Sequence, residues 1–357
     1  MRKTIALLTG GGDCPGLNAA IRAITRIAHD AYGWRVVGFL DGFEGLIQRR
    51  YRILEPDQVR GILRIGGTIL GSSNRTSPFA YLPPGGTEAF DASAAAREAL
   101  AAVRADALIV IGGDGTLALA HKFAGDSYPI VGVPKTIDND VHGTDYSIGF
   151  DTCVATVTEA IDRLHTTAES HHRVMLLEVM GRTAGWLALY AGVAGGADIA
   201  LIPEREYTCD DLVNVVESRR GDGKHFTIAA VSEGVAGPGG EAVYRSTMGQ
   251  SHEWRLGGVC DRIASELSML LDRDVRAITL GHLQRGGTPT PTDRVLATRL
   301  AHAAVEALKA DHGGVMAGVA GESDVLVPLD VVAQGPRNVP EDHPLIRAAA
   351  AIGMYVG

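Results

Sequence analysis

Residues 109–123 read IVIGGDGTLALAHKF, and residues 128–140 read YPIVGVPKTIDND. In each, a β-branched apolar run stops abruptly at a loop. The first loop is rich in glycine around Asp114, and the second carries Lys135, Thr136, Asp138 and Asp140. Short apolar runs bounded by Gly and Pro are the signature of strands buried on both faces, as in a parallel sheet. Two such strands ending side by side bring open backbone and several carboxylates to one rim. That combination suits phosphoryl transfer, with bare amides for phosphates, one carboxylate for a divalent metal and another to act as base.

Outward from this stretch the same grammar repeats. Residues 3–9 read as a buried strand, GGGDCPG at 10–16 as a turn, and a helix follows from Asn18 with Ile21, Ile24, Ile27 and Ala28 on one stripe. A strand at 35–40 completes a βαβ unit, which implies a parallel sheet with right-handed crossovers. After residue 150 a second series begins. Strands are expected at 173–179, followed by MGR, at 198–202, at 226–231, ending at Ser232–Glu233–Gly234, and at 275–280, running into GHLQRGG. Two α/β units are therefore expected, with a boundary near residue 150. In open α/β sheets ligands bind beyond the carboxyl ends of the strands, where most of the distinctive loops fall.

Bulk properties narrow the class. The chain has 357 residues, 46% hydrophobic and 21% charged, with 45 glycines, enough for two cores with many tight turns. A net charge of −9 without any basic run argues against a nucleic-acid or anionic-membrane partner. Four scattered cysteines with no C-x-x-C pair argue against a zinc site or disulfide scaffold and fit a reducing cytoplasm, and no stretch reads as a membrane span.

Each loop also has a plain structural explanation. The 9–16 loop could be only a tight βα turn; it has neither P-loop spacing nor the G-x-G-x-x-G fingerprint. Asp114 could serve as a helix N-cap. Asn139 fits an Asx turn, yet that leaves Lys135, Thr136, Asp138 and Asp140 behind a buried strand unexplained. In an extended segment Asp138 and Asp140, two apart, would point the same way.

Six motifs in order, TGGGDCPGLNAAIR, GGDGT, PKTIDND, GTDYSIGFDT, EVMGR and GHLQRGG, resemble those of the 6-phosphofructokinases over almost the whole chain. The resemblance implies an α/β fold of two doubly wound, mostly parallel-sheet, Rossmann-like domains with the active site in the cleft between them. The larger, nucleotide-binding domain would take residues 1–148 with about 285–333, and the smaller, sugar-phosphate-binding domain 149–284 with about 334–357. It implies an ATP-dependent, Mg²⁺-requiring glycolytic kinase acting on the 1-hydroxyl of fructose 6-phosphate. Gly12, Arg75, Gly112, Gly113, Asp114, Gly115 and Thr116 would receive the nucleotide, with Asp114 serving the metal. Asp138 would be the base, with Thr136 and Asp140 orienting it, and Arg182 would join them as a catalytic residue. Met180, Gly181, Arg182, Glu233, His282 and Arg285 would hold the sugar phosphate. Arg173 and Arg276 would reach it from a neighbouring subunit, implying a homo-oligomer, a homotetramer, with shared active sites.

Two residues bear on the donor. Gly115 is the small residue of ATP-using members, where pyrophosphate-using members carry an aspartate that would crowd the α-phosphate. Lys135 stands where ordinary bacterial ATP enzymes have glycine and pyrophosphate enzymes have lysine. The pair resembles a mixed subgroup of ATP-using members close to the pyrophosphate enzymes. As the steric gate, Gly115 favours ATP; the alternatives are a pyrophosphate:fructose-6-phosphate phosphotransferase and, more remotely, an inactive regulatory paralogue.

Overall fold

Strands form where the apolar runs are least interrupted. In chain order they are β1 (Thr4–Thr9), β2 (Arg35–Phe39), β3 (Tyr51–Leu54), β4 (Ala107–Gly112), β5 (Ile130–Pro134), β6 (Val174–Val179), β7 (Ile199–Leu201) and β8 (Thr227–Ser232). They continue with β9 (Tyr244–Ser246), β10 (Trp254–Leu256), β11 (Val275–Thr279), β12 (Val315–Ala320), β13 (Ser323–Pro328) and β14 (Tyr355–Val356). The computed structural model describes residues 2–125, 128–237, 240–246 and 254–357. Every residue of β1, β4, β5, β6 and β8 is buried, as strands covered on both faces by helices must be.

The chain divides into two units, residues 1–152 with 285–336, and residues 153–284 with 337–357. The first is built on a seven-stranded sheet in the order β13-β12-β5-β4-β1-β2-β3. Its five inner strands run parallel, while β3 and β13 close the edges antiparallel. The second unit holds a wholly parallel sheet, β11-β6-β8-β7-β14. The antiparallel edges, the β9–β10 ribbon and β14 were not anticipated from sequence, because each is short and its pairing is set by distant partners.

The strand orders locate the sites. From β1 the chain moves one way to β2 and later returns to the other side as β4, so the direction of winding reverses between β1 and β4. From β6 it passes to β7, comes back to β8 between those two, then crosses to the opposite side of β6 as β11. At such switch points the loops after adjacent strands diverge and leave a crevice at their carboxyl ends. The loops at those ends are residues 10–16 and 112–116 in the first unit, and 180–182 and 280–285 in the second.

One buried carboxylate organises the second unit. Glu178, in the middle strand β6, is 2% exposed and accepts from Gly258 N (2.9 Å) and Cys260 N (3.1 Å). These are orphan amides at the start of helix Val259–Leu270, whose N-cap is Gly258 with no side chain to cap it. Glu178→Ala therefore strands one buried and one part-buried donor and should lower the unfolding free energy by about 2–4 kcal/mol, measured by urea denaturation.

Candidate active site

In the first unit three loops meet at the β1–β4 switch point. The turn after β1 is drawn in by Gly10 N donating to Ile111 O (2.9 Å) and Gly11 N to Ser73 O (3.0 Å). A Cβ on Gly10 or on Gly112 would run into the Thr116 side chain, so both glycines are consequences of close packing. Helix Asp114–Ala124 starts directly at the end of β4, with Gly113 in the N-cap position and Asp114 in the first turn. Asp114 is thus not the cap. Its half-exposed carboxylate stands at a helix N-terminus, where free amides favour anionic phosphates. A single hard oxygen donor beside such amides fits Mg²⁺ that takes its other ligands from phosphate oxygens and water.

Gly115 is different from its neighbours. It is exposed and helical, its φ is not positive, and a Cβ there would meet nothing within 4 Å. The fold does not need glycine at this position. A cavity of about 410 Å³ opens nearby, lined by Gly11, Gly12, Asp13, Thr68, Gly71, Ser72 and Asn74. Arg75, the arginine expected at the nucleotide, is exposed and follows the lining residue Asn74.

The loop after β5 is held by its own side chains and by residues 145–149. Lys135 N donates to Gly112 O (2.9 Å), Thr136 N to Ile148 O (3.2 Å) and Ile148 N to Pro134 O (3.1 Å), extending the sheet by one bridge. Ser147 Oγ donates to Thr136 O (2.8 Å), and Asn139 Oδ1 accepts from Ser147 N (2.9 Å). Residues 142–151, which look like a hinge in the sequence, instead brace this loop. Asn139 has a φ of 54°, so the segment is not extended and strand alternation does not relate Asp138 to Asp140. Asp138 and Asp140 are nevertheless both buried, at 4% and 1% exposed, and Thr136 Oγ1 lies 3.3 Å from Asp138 Oδ2.

Lys135 is 2% exposed, and its Nζ donates to Gly12 O (2.6 Å). Burial lowers its pKa below the ordinary lysine value, and the neighbouring Arg285 pushes the same way. Its ammonium props the glycine turn from beneath. Arg285 lies against the same turn: a Cβ on Gly12 would collide with its guanidinium, and Nη1 donates to Asp13 O (3.4 Å). Arg285, expected beside the sugar, therefore packs on the turn after β1.

In the second unit the structure brings together most of the remaining expected residues. The turn Met180–Gly181–Arg182 leaves β6 with φ values of 138° at Gly181 and 53° at Arg182, the second a conformation that costs a non-glycine residue energy. Arg182 N donates to Glu233 Oε1 (3.3 Å), and a Cβ on Gly234 would collide with Arg182 O. Gln284, which sequence reading passed over, is fully buried and accepts from Met180 N (3.1 Å) while donating to Gly281 O (2.9 Å). It ties the short helix Gly281–Arg285, which includes His282, to the arginine turn. Arg173 Nε (2.8 Å) and Arg276 Nε (3.0 Å) both pair with Asp274, away from that turn along strands β6 and β11.

The two kinds of glycine can be told apart by substitution. Gly115→Ala, in an open helical turn, should leave stability unchanged or raise it by up to about 1 kcal/mol. Gly149 has a φ of 102° and its Cβ would lie 2.5 Å from Cys14 Sγ, so Gly149→Ala should cost more than about 2 kcal/mol. Urea denaturation of both variants checks the contrast.

Comparison with known proteins agrees with this arrangement. The family model described as Phosphofructokinase matches residues 4–308. An ATP-dependent 6-phosphofructokinase 2 of Clostridium perfringens is 45% identical, covering 99% of this chain and 98% of that protein. A pyrophosphate–fructose 6-phosphate 1-phosphotransferase of Amycolatopsis methanolica is 48% identical over 95% of this chain and 97% of that protein. The crystal structure of Pichia pastoris phosphofructokinase in the T-state superposes on 93% of this chain with a TM-score of 0.79 at 33% identity, the chain spanning 35% of that longer one. The chain belongs to the phosphofructokinase family.

Proposed function

We propose that the protein is an ATP-dependent 6-phosphofructokinase, transferring the γ-phosphoryl of ATP to the 1-hydroxyl of fructose 6-phosphate. The observation that carries the choice of donor is the room at Gly115. Its Cβ position is open and its backbone helical, so the absence of a side chain serves something other than the fold. An α-phosphate and nucleoside leaving the helix N-terminus would use that room, whereas pyrophosphate would not.

Asp138 acts as base, accepting the proton of the 1-hydroxyl as the oxygen attacks phosphorus. Thr136 Oγ1, 3.3 Å from Asp138 Oδ2, orients it, and Asp140 supports the same loop. Asp114 would hold Mg²⁺, which would offset charge on the phosphate oxygens. Amides of residues 112–116 and 11–13 receive the phosphates, and Arg285 and Lys135 add positive charge around Gly12. Met180, Gly181, Arg182, Glu233 and His282 recognise the sugar phosphate, and Arg173 and Arg276 serve a neighbouring subunit's site in a homotetramer. Such a reaction depends on position and charge rather than a covalent nucleophile. None of the described helices is long and apolar enough to cross a membrane, consistent with a cytoplasmic enzyme.

A second reading, with pyrophosphate as donor, is favoured by the buried cation of Lys135 under the glycine turn and by the similarity to the Amycolatopsis enzyme. Assays with ATP and pyrophosphate at equal concentration separate the two, with ATP expected to be used faster. Gly115→Asp should lower kcat/KM for ATP by about tenfold or more, near 1.4 kcal/mol, without loss of folding; unchanged ATP kinetics would remove the steric argument. Asp138→Asn should lower kcat about 100-fold or more while fructose 6-phosphate still binds, as measured by calorimetry; full turnover would exclude Asp138 as base.

A further inference from the structure

Asp293 is a buried carboxylate that the proposed reaction does not itself use. It lies in the first turn of helix Pro291–Lys309 and is 0% exposed. Oδ1 accepts from Gly149 N (2.8 Å), and Oδ2 accepts from Thr152 N (2.8 Å) and Thr152 Oγ1 (2.5 Å). Thr152 Oγ1 also accepts from Thr290 N (3.0 Å), and Thr290 Oγ1 donates to Asp151 Oδ2 (2.5 Å) while accepting from Asp293 N (3.2 Å). Burial pushes the Asp293 carboxyl up and its hydrogen bonds from Thr152 and Gly149 pull it back; nearby Asp151 also raises it. Burial is the largest of these causes and the net direction is upward, while both oxygens serve as acceptors for the Gly149–Thr152 turn.

A helix could be capped with far less. Thr290 already caps this one, accepting from Asp293 N, and Pro291 follows at the first helical position. The carboxylate is spent instead on Gly149 N and Thr152 N at the start of a different helix, Phe150–His171, Gly149 lying 144 residues from Asp293 in sequence. Ile148, the residue before that turn, bonds both Pro134 and Thr136, on the loop that carries Asp138. The same turn bears on the donor side: Cys14 Sγ lies 3.3 Å from Ile148 O, and a Cβ on Gly16 would lie 2.5 Å from Ile148 Cγ2 and 3.8 Å from Asp293 Cβ. One buried carboxylate thus fixes the segment on which the acceptor loop and the donor loop both rest.

We propose that Asp293 is a positioning residue for phosphoryl transfer, holding the Gly149–Thr152 turn so that the Asp138 loop and the Gly10–Gly16 turn keep their mutual register. The proposal rests on the phosphofructokinase reading of the site, and wild-type turnover tests that reading separately. Asp293→Asn places an amide where an acceptor is needed, while its size is nearly unchanged. A misplacement of about 1 Å at reacting groups is enough to cost about 100-fold, so kcat should fall about that much. Binding of fructose 6-phosphate by calorimetry should stay within about threefold, because its recognition groups lie elsewhere.

Hydrogen exchange followed by mass spectrometry gives a readout independent of turnover: protection should drop in peptides spanning 134–152 and stay unchanged in β6 and β8. Thr152→Val removes one arm of the clamp in a variant with an intact helix cap, and should reproduce the kcat loss in part; Thr152→Ser should restore it. If Asp293→Asn does not fold, the Thr152 pair decides. A folded Asp293→Asn enzyme with kcat within about tenfold of wild type, or a Thr152→Val loss that serine fails to restore, would overturn the proposal. So would a fall in kcat matched by an equal loss of sugar-phosphate affinity.

Discussion

The pairing of Ile148 with Pro134 and Thr136 is the joint on which the candidate site depends. It is a single β-bridge beyond the end of β5, yet it turns an otherwise free loop into a continuation of the sheet. Residue 148 also meets the glycine turn through Cys14 and Gly16. Two loops that leave different strands are therefore referred to one backbone segment. Catalysis that depends on orientation needs such a common reference, because errors in two independently mobile loops would add.

The same economy appears in how charges are placed. Lys135 and Arg285 lie on the two sides of Gly12, one beneath it and one against its Cα, so a neutral glycine turn acquires a positive surround without exposing a lysine. Glu178 and Asp293 are buried carboxylates that accept from backbone amides. Buried carboxylates satisfied by several N–H groups are directional, and they fix a turn in a way that an ion pair to a flexible side chain does not. The strained φ at Arg182 belongs to the same logic, since the Glu233 and Gly234 contacts hold it in a conformation it would not choose alone.

Much of this was legible in the sequence because it is local. The inner strands announce themselves as apolar runs, the loops after them by glycine, and the two-series alternation by period. The order of the motifs carried the family. What stayed hidden is what joins residues far apart. Asn139 fits an Asx turn in the sequence, but only the structure shows its side chain bonding residues 145 and 147, with a φ of 54° that removes the alternation expected for Asp138 and Asp140. Gln284 has no local reason to be buried, and Arg285 is one residue further along yet turns to the glycine loop instead. Asp293 reads as an ordinary first-turn acid, and only the contact with Gly149 gives it another meaning. The antiparallel edges β3 and β13 were missed for the same reason, their register being set by β2 and β12 rather than by their own six or fewer residues.

The vacancy around Gly115 has an evolutionary consequence. A glycine codon becomes an aspartate codon by one nucleotide change, and at this position no neighbouring atom lies within 4 Å of a new Cβ. If Gly115 selects the donor as proposed, a lineage could cross between donors at this point without first acquiring compensating changes in the core.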